Sequence, residues 1–66
     1  MDLIINGEEK NVKENSTLQE IINELKIEKK VMAAAVNMSI VKKDDWNSFT
    51  LKQNDKVELL QFVGGG

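Results

Sequence analysis

Three consecutive glycines, Gly64, Gly65 and Gly66, close the chain directly after an apolar stretch. Glycine lacks a Cβ and loses the most conformational entropy on ordering, so three in a row do not stabilise a strand end. They do make a backbone thin enough to enter a narrow channel, and three extended residues reach about 10 Å. The group delivered by that reach is the α-carboxylate of Gly66. Two interpretations stand at this point: a reactive tail, or a frayed end without a role, since disorder concentrates at chain ends.

The side chains that most often carry out catalysis are missing from the 66 residues. There is no cysteine and no histidine, which excludes disulfides, thiol chemistry and an imidazole base. Eleven acidic residues stand against nine lysines, for a net charge of −2, and there is no arginine. Nucleic-acid binders are usually basic and use arginine, so that class is disfavoured. We therefore predict a protein that binds no metal or cofactor and is not an enzyme, but is acted on by a partner or serves as an interaction module.

The beginning of the chain predicts a β-hairpin and a location in the cytoplasm. Residues 2–5 are aliphatic after Asp2, and Asn6-Gly7 is the strongest short hairpin signal because both residues tolerate the positive φ of a type I′ turn. Glu8 to Lys13 would form the second strand. Met1 and Asp2 lead straight into this apolar segment with no signal-peptide or transmembrane pattern, so we expect a cytoplasmic protein without a membrane partner.

A helix is predicted from Thr17 to Lys26. Thr17 with Glu20 fits a capping box, and Ser16 with Gln19 fits one equally well. The apolar residues recur at the spacing i, i+3, i+4 and i+7, which makes one stripe on a helix; they are Leu18, Ile21, Ile22 and Leu25. A helix this short is unstable alone, so its stripe must pack on a sheet.

The second half of the chain predicts short strands joined by turns. The run 31–37 contains three alanines and could be helix or strand; we favour a strand, because small side chains allow a helix to lie close over the sheet. A turn at 37–39 and a return strand beginning at Ile40-Val41 would follow, then a polar loop at 42–45. Phe49 to Leu51 would form another brief strand.

The last predicted strand runs from Lys56 to Phe62, after a turn at 53–55 where Asn and Asp tolerate the left-handed conformation. Val57 and Leu59 would face the helix, and Leu60 and Phe62 the opposite side. A hairpin, a crossover helix and returning strands predict an α+β fold, in which one main helix packs on one face of a mixed sheet.

Trp46 is the only tryptophan, and it has two interpretations. It could be a platform for a ligand or partner, or an anchor that holds a long loop against the body. We favour the anchor, because a tryptophan ring tends to bury much of its large area.

Leu60 and Phe62, together with Ile4, are candidates for an exposed patch that docks a partner, because exposed apolar patches mark interaction sites. The alternative is that Leu60 and Phe62 pack under the 42–51 loop. The sequence leaves both possibilities open.

Taken together, these features resemble those of the ThiS family, the sulfur carrier proteins of thiamine thiazole synthesis. The resemblance covers essentially the whole chain, and its most specific parts are the terminal Gly-Gly and the spacing from Ile-Val to Trp. The residues that carry it are Asn6-Gly7, Ala35-Val36-Asn37, Ile40-Val41, Trp46, the run from Asn54 to Glu58, and Gly65-Gly66. It implies a ubiquitin-like β-grasp domain over residues 1–63, followed by a flexible tail at 64–66.

The resemblance also implies the chemistry of the tail. Gly66 would be adenylated by an E1-like activating enzyme, which uses ATP and Mg, and converted to a thiocarboxylate with sulfur from a donor protein. Thiazole synthase would then take the sulfur and build the thiazole phosphate from deoxyxylulose phosphate and a glycine-derived imine. Gly64 and Gly65 would let the tail thread into these partners.

Two positions depart from the family's pattern, and two other functions stay open. Lys42 stands where a proline often follows Ile-Val, and Gln53-Asn54-Asp55 stands where Asp-Gly-Asp is common. Asn can take the left-handed position of that glycine, so the turn is still expected. The alternatives are a ubiquitin-like binding module with an inert tail, and the small subunit of molybdopterin synthase, for which the chain is short.

Overall fold

The computed structural model describes residues 1–27 and 29–62. Within them, five strands form one sheet in the order β2-β1-β5-β3-β4, with β1 and β5 parallel and the other neighbours antiparallel. The predicted α+β fold with a mixed sheet is confirmed. The elements are β1 (Asp2–Ile5), β2 (Glu8–Asn11), α1 (Leu18–Glu24), β3 (Val31–Val36), β4 (Ser39–Val41), a 3-10 helix (Lys43–Asp45) and β5 (Lys56–Gln61).

The predicted N-terminal hairpin is confirmed. Asn6 and Gly7 form its two-residue turn with φ of 49° and 82°, the positive values that a type I′ turn requires. Strand β2 ends at Asn11, two residues before the predicted Lys13. All residues of β2 are exposed and mostly charged, as suits a strand at the sheet edge.

Helix α1 begins at the predicted cap. The Thr17 side chain accepts from the Glu20 amide and the Glu20 carboxylate accepts from the Thr17 amide, so the capping box uses this pair. Ser16 was the wrong alternative, because its hydroxyl donates to a backbone carbonyl of the preceding loop. The helix ends at Glu24 rather than Lys26, because Lys26 has φ of 61° and leaves the right-handed helical region.

The hydrophobic core lies between α1 and one face of the sheet. The predicted orientation of β5 is confirmed, because Val57 and Leu59 are buried among the helix residues. The other buried apolar residues are Leu3, Ile5, Leu18, Ile21, Ile22, Val31, Ala34, Val36, Val41, Trp46 and Leu51. In the described part of the chain, no helix has the length and apolar character needed to cross a membrane.

Trp46 anchors the loop between β4 and β5, and the platform interpretation is wrong. Its side chain is only 1% exposed, and its Nε1–H donates to the Val41 carbonyl oxygen at 2.9 Å. The same loop satisfies amides at the start of α1: the Gln19 amide donates to the Trp46 carbonyl and the Leu18 amide to the Phe49 carbonyl. The loop therefore caps the helix as well as covering the core.

One local prediction in this loop is wrong. The segment 49–51 is not a strand; Thr50 makes an isolated bridge with Thr17, and the neighbouring backbone groups bond to the start of α1 instead of to the sheet. The polar loop at 42–45 contains the short 3-10 helix.

Candidate functional site

Strand β5 leads into the glycine tail and is central in the sheet. Val57 pairs with Ile5 of β1 on one side and with Val36 of β3 on the other. Pairing continues past the end of the strand, because the Phe62 amide donates to the Lys30 carbonyl. The strand before the tail is therefore held on both sides. The tail residues Gly64, Gly65 and Gly66 lie outside the described residues, as does Val63.

The side chain of Asn6 extends the hydrogen bonding of β5 beyond its pairing with β1. Its Oδ1 accepts from the Leu59 backbone amide at 2.8 Å. The Asn6 backbone amide donates to the Val57 carbonyl at 2.9 Å. We assigned Asn6 only to the hairpin turn from the sequence. The positive φ that forms the turn also places the side chain against the middle of β5.

A second side-chain bridge fixes the start of β5. The Asn37 Nδ2 donates to Asp55 Oδ1 at 2.9 Å, and Asn37 Oδ1 accepts from the Lys56 amide at 3.0 Å. Asp55 Oδ2 accepts from the Lys52 amide, and Asn54 has the left-handed φ expected at this turn, 68°. These contacts tie the turn before β5 to the turn between β3 and β4.

Asp2 forms a smaller polar cluster at the edge of the sheet. Its carboxylate accepts from Asn11 Nδ2 at 2.9 Å and from Gln53 Nε2 at 3.1 Å, and these two hydrogen bonds lower the pKa of Asp2. The cluster is exposed and links β1, β2 and the turn before β5. Within residues 1–27 and 29–62, no group of three acidic side chains is arranged to hold a metal ion.

The face of the sheet opposite α1 carries the predicted apolar patch. Leu60 and Phe62 are each 61% exposed, and Ile4 is half-buried. The alternative that Leu60 and Phe62 pack under the 42–51 loop is wrong, because that loop caps α1 and packs into the core. The use of this patch for docking stays a prediction.

The same face holds a shallow groove of about 460 Å³ that sequence analysis missed. Ala33 and Ala35 of β3 lie across from Leu60 and Glu58 of β5, so their small side chains leave the depression. The groove is lined by Asn6, Ala33, Ala34, Ala35, Met38, Ile40, Glu58, Leu59 and Leu60.

Met38 and Ile40 are the most exposed large apolar residues of this face, at 86% and 73%. Strand alternation with buried Val41 could have predicted that Ile40 is exposed. Met38 had no comparable signal, because it stands in the turn between β3 and β4. We define the open-face patch as Ile4, Met38, Ile40, Leu60 and Phe62.

Met38 adopts a backbone conformation that methionine rarely takes. Asn37 and Met38 have φ of 51° and 71°, so both turn positions are left-handed. The left-handed region costs a residue with a Cβ about 1–2 kcal/mol. Burial of the side chain does not offset this conformational free energy, because the Met38 side chain is exposed to solvent beside the groove.

Replacing Met38 by glycine is expected to stabilise the domain by about 1 kcal/mol, because glycine takes the left-handed conformation without steric cost. Urea denaturation would measure the gain. The matched control is Met32→Gly, which replaces an exposed methionine within β3 and should lower stability. Equal destabilisation by both variants would contradict the strain at Met38.

Solved structures show which fold these elements make. The crystal structure of a thiamine biosynthesis protein (ThiS) from Geobacter metallireducens matches with a TM-score of 0.82 and 30% sequence identity, over 100% of both chains. A solution structure from the same organism matches with a TM-score of 0.80 and 29% identity, over 100% of this chain and 88% of that one. The fold is a ubiquitin-like β-grasp.

Sequence comparison identifies the family within this fold. The ThiS family profile matches residues 3–66, and the chain belongs to the ThiS family. The sulfur carrier protein ThiS of Bacillus subtilis is 31% identical over 65 residues, 97% of this chain and 98% of that protein. A thiazole synthase of Paramagnetospirillum magneticum is 35% identical over all 66 residues, and the chain spans only 20% of that protein's length.

Proposed function

We propose that this chain is a sulfur carrier protein of thiamine biosynthesis, and that its Gly66 carboxylate is adenylated and converted to a thiocarboxylate. The observation that carries the proposal is that the ThiS family match runs through the glycine tail to Gly66. The full-length similarity to the Bacillus subtilis sulfur carrier supports it. The family match also favours this function over the small subunit of molybdopterin synthase.

The proposed reaction activates a poor electrophile. An α-carboxyl group has a reference pKa near 3.3–3.7, so it is ionised at neutral pH. One carboxylate oxygen attacks the α-phosphate of ATP, and pyrophosphate leaves. The sulfur donor then supplies hydrosulfide, which attacks the acyl carbon. AMP leaves, the S–H proton is lost to solvent, and the terminus becomes a thiocarboxylate.

The proposal divides the work between carrier and enzyme. The activating enzyme supplies the catalytic groups and the Mg, and the carrier supplies the reacting terminus. Reacting atoms must come within about 3–3.5 Å, so the tail has to thread deeply into the enzyme. Gly64 and Gly65 suit that role, because neither has a Cβ to meet the channel wall.

The body of the domain supports the tail by holding β5 in place. Asn6 contacts the middle of the strand, and the Asn37–Asp55 bridge fixes its start. A tail that leaves from a rigid strand has a defined origin relative to any surface that docks on the body. This limits the positions that the partner must sample.

We further propose that the open-face patch docks the partner enzymes. It is exposed, apolar and continuous with β5, from which the tail departs. The thiazole synthases with a segment similar to this chain support thiazole synthase as one partner. The E1-like activating enzyme is the other.

Replacing Phe62 or Leu60 by alanine is expected to weaken binding to the activating enzyme about tenfold, since apolar anchors at an interface are worth more than 1 kcal/mol. Stability should change little, because both side chains are exposed. Titration calorimetry would measure affinity. Met32→Ala is the control for Leu60→Ala, because Met32 has the same exposure as Leu60 but does not line the groove. If Phe62→Ala lowers stability yet binds normally, the docking role is wrong.

The second candidate is a binding module with an inert tail, favoured only by the exposed groove. Carrier-dependent exchange of pyrophosphate into ATP by the activating enzyme separates the two functions. Exchange that requires the chain supports adenylation of Gly66. Binding without exchange favours the module.

A further inference from the structure

Lys30 lies at the point where the tail leaves the body. Lys29 precedes it, and Lys26 is next to Ile27, whose carbonyl accepts from the Lys30 amide. Lys26, Lys29 and Lys30 are all exposed, and the Lys30 carbonyl accepts from the Phe62 amide. No described acidic side chain lies within ion-pair distance of any of them; the pair found among the described residues is Lys10–Glu8 at 3.9 Å. The run 26–30 contains three lysines and one acidic residue, Glu28, so its net charge is +2 on a chain whose net charge is −2.

The length of the tail requires an enzyme acting on Gly66 to approach these lysines. Four residues, 63–66, follow Phe62 and reach at most about 13–14 Å when fully extended. The entrance to the enzyme's channel must therefore lie close to Phe62, and so close to Lys30. The surface around that entrance meets the carrier body at the root of the tail.

We propose that Lys26, Lys29 and Lys30, the tail-root lysines, bind an acidic surface around the channel entrance of the enzyme that adenylates Gly66. This inference rests on the proposed function. The partner group is a protein carboxylate and not the phosphates of ATP. The Gly66 carboxylate attacks the α-phosphate, so ATP lies at the far end of the tail, whereas the lysines lie at its near end.

Exposed charges of this kind act mainly on the rate of encounter. Complementary surface charges raise association rates and make them salt-dependent, while each exposed pair adds little affinity. Steering is screened over about 10 Å at 0.1 M salt. The tail-root lysines should therefore orient the carrier so that its tail meets the channel first.

The test is the association rate of Lys29→Glu/Lys30→Glu with the purified adenylating enzyme, followed by stopped-flow fluorescence at low and high salt. We expect the rate at low salt to fall about tenfold or more, and its salt dependence to reverse or vanish. The matched control is Lys52→Glu/Lys56→Glu, which makes the same change in net charge at the opposite end of β5. It should change the rate far less.

The outcomes distinguish this inference from the proposed function. If the tail-root variant associates as the control variant does, while the wild-type chain is thiocarboxylated, the lysine inference is overturned and the carrier function stands. If the wild-type chain neither binds the enzyme nor is adenylated, both fail. A selective fall in the rate of the tail-root variant, with normal thiocarboxylation at saturating carrier, supports the inference.

Discussion

Adding one alanine after Gly66 is expected to abolish thiocarboxylation while leaving the fold and its stability unchanged. The extension turns the Gly66 carboxylate into an amide and moves the free carboxylate about 3.5 Å further along the chain. It also places a Cβ in a channel that we propose to admit only glycine. A displacement of the reacting carboxylate by about 1 Å can lower the reaction rate about 100-fold, and this displacement is larger.

Intact mass after incubation with the activating enzyme, ATP and a sulfur donor would measure this loss. Two controls show that the effect belongs to the terminus: the extended variant should unfold at the same urea concentration as the wild type, and it should keep measurable affinity for the enzyme through the open-face patch. An extended variant that is still thiocarboxylated would show that the free carboxylate of Gly66 is not the reacting group.

Trp46→Ala is expected to cost about 3–5 kcal/mol of stability, the usual range for deleting a buried tryptophan. The ring is 1% exposed, and its loss leaves the Val41 carbonyl without its indole donor. It also frees the loop whose carbonyls accept from the first amides of α1. A domain of this size has a total stability of only a few kcal/mol, so the variant should be largely unfolded at room temperature.

Thermal and urea denaturation would measure this loss. Trp46→Phe is the matched control, because it keeps an aromatic ring in the core and removes only the hydrogen bond to Val41; its cost should be clearly smaller. A Trp46→Ala variant with a wild-type melting temperature would contradict the anchor role.

The sequence predicted elements that are defined by local chemistry. Asn6-Gly7 predicted the hairpin, because their conformational preferences match the turn. Thr17 and Glu20 predicted the start of α1, because the capping box needs only residues three apart. The predicted end of the helix at Lys26 was wrong, because nothing in the apolar stripe indicates that Lys26 turns left-handed.

Features built from distant residues were not predictable in the same way. Asn6 bonds to Leu59 and Asn37 bonds to Asp55, and each pair is brought together only by the strand order of the finished sheet. The segment 49–51 was read as a strand because its local pattern fits one, yet its backbone groups bond to the start of α1. Tertiary contacts determine both the side-chain hydrogen bonds and the conformation of residues 49–51.

The candidate site was predicted in part. The alternation of β5 predicts that Leu60 and Phe62 are exposed. Met38 is exposed because it lies in the turn between β3 and β4, which strand alternation does not predict. The three glycines left two interpretations open, a reactive tail or a frayed end, and the resemblance to the ThiS family favoured the reactive tail. Their role stays a prediction, since they lie outside the described residues.

The most direct test of the carrier function is the intact mass of the chain after incubation with an activating enzyme, ATP, Mg and a sulfur donor, with fragmentation to locate any change. We predict that one oxygen is replaced by sulfur at Gly66, only when ATP is present. An unchanged mass, with an enzyme that thiocarboxylates another ThiS family protein in the same assay, would contradict it.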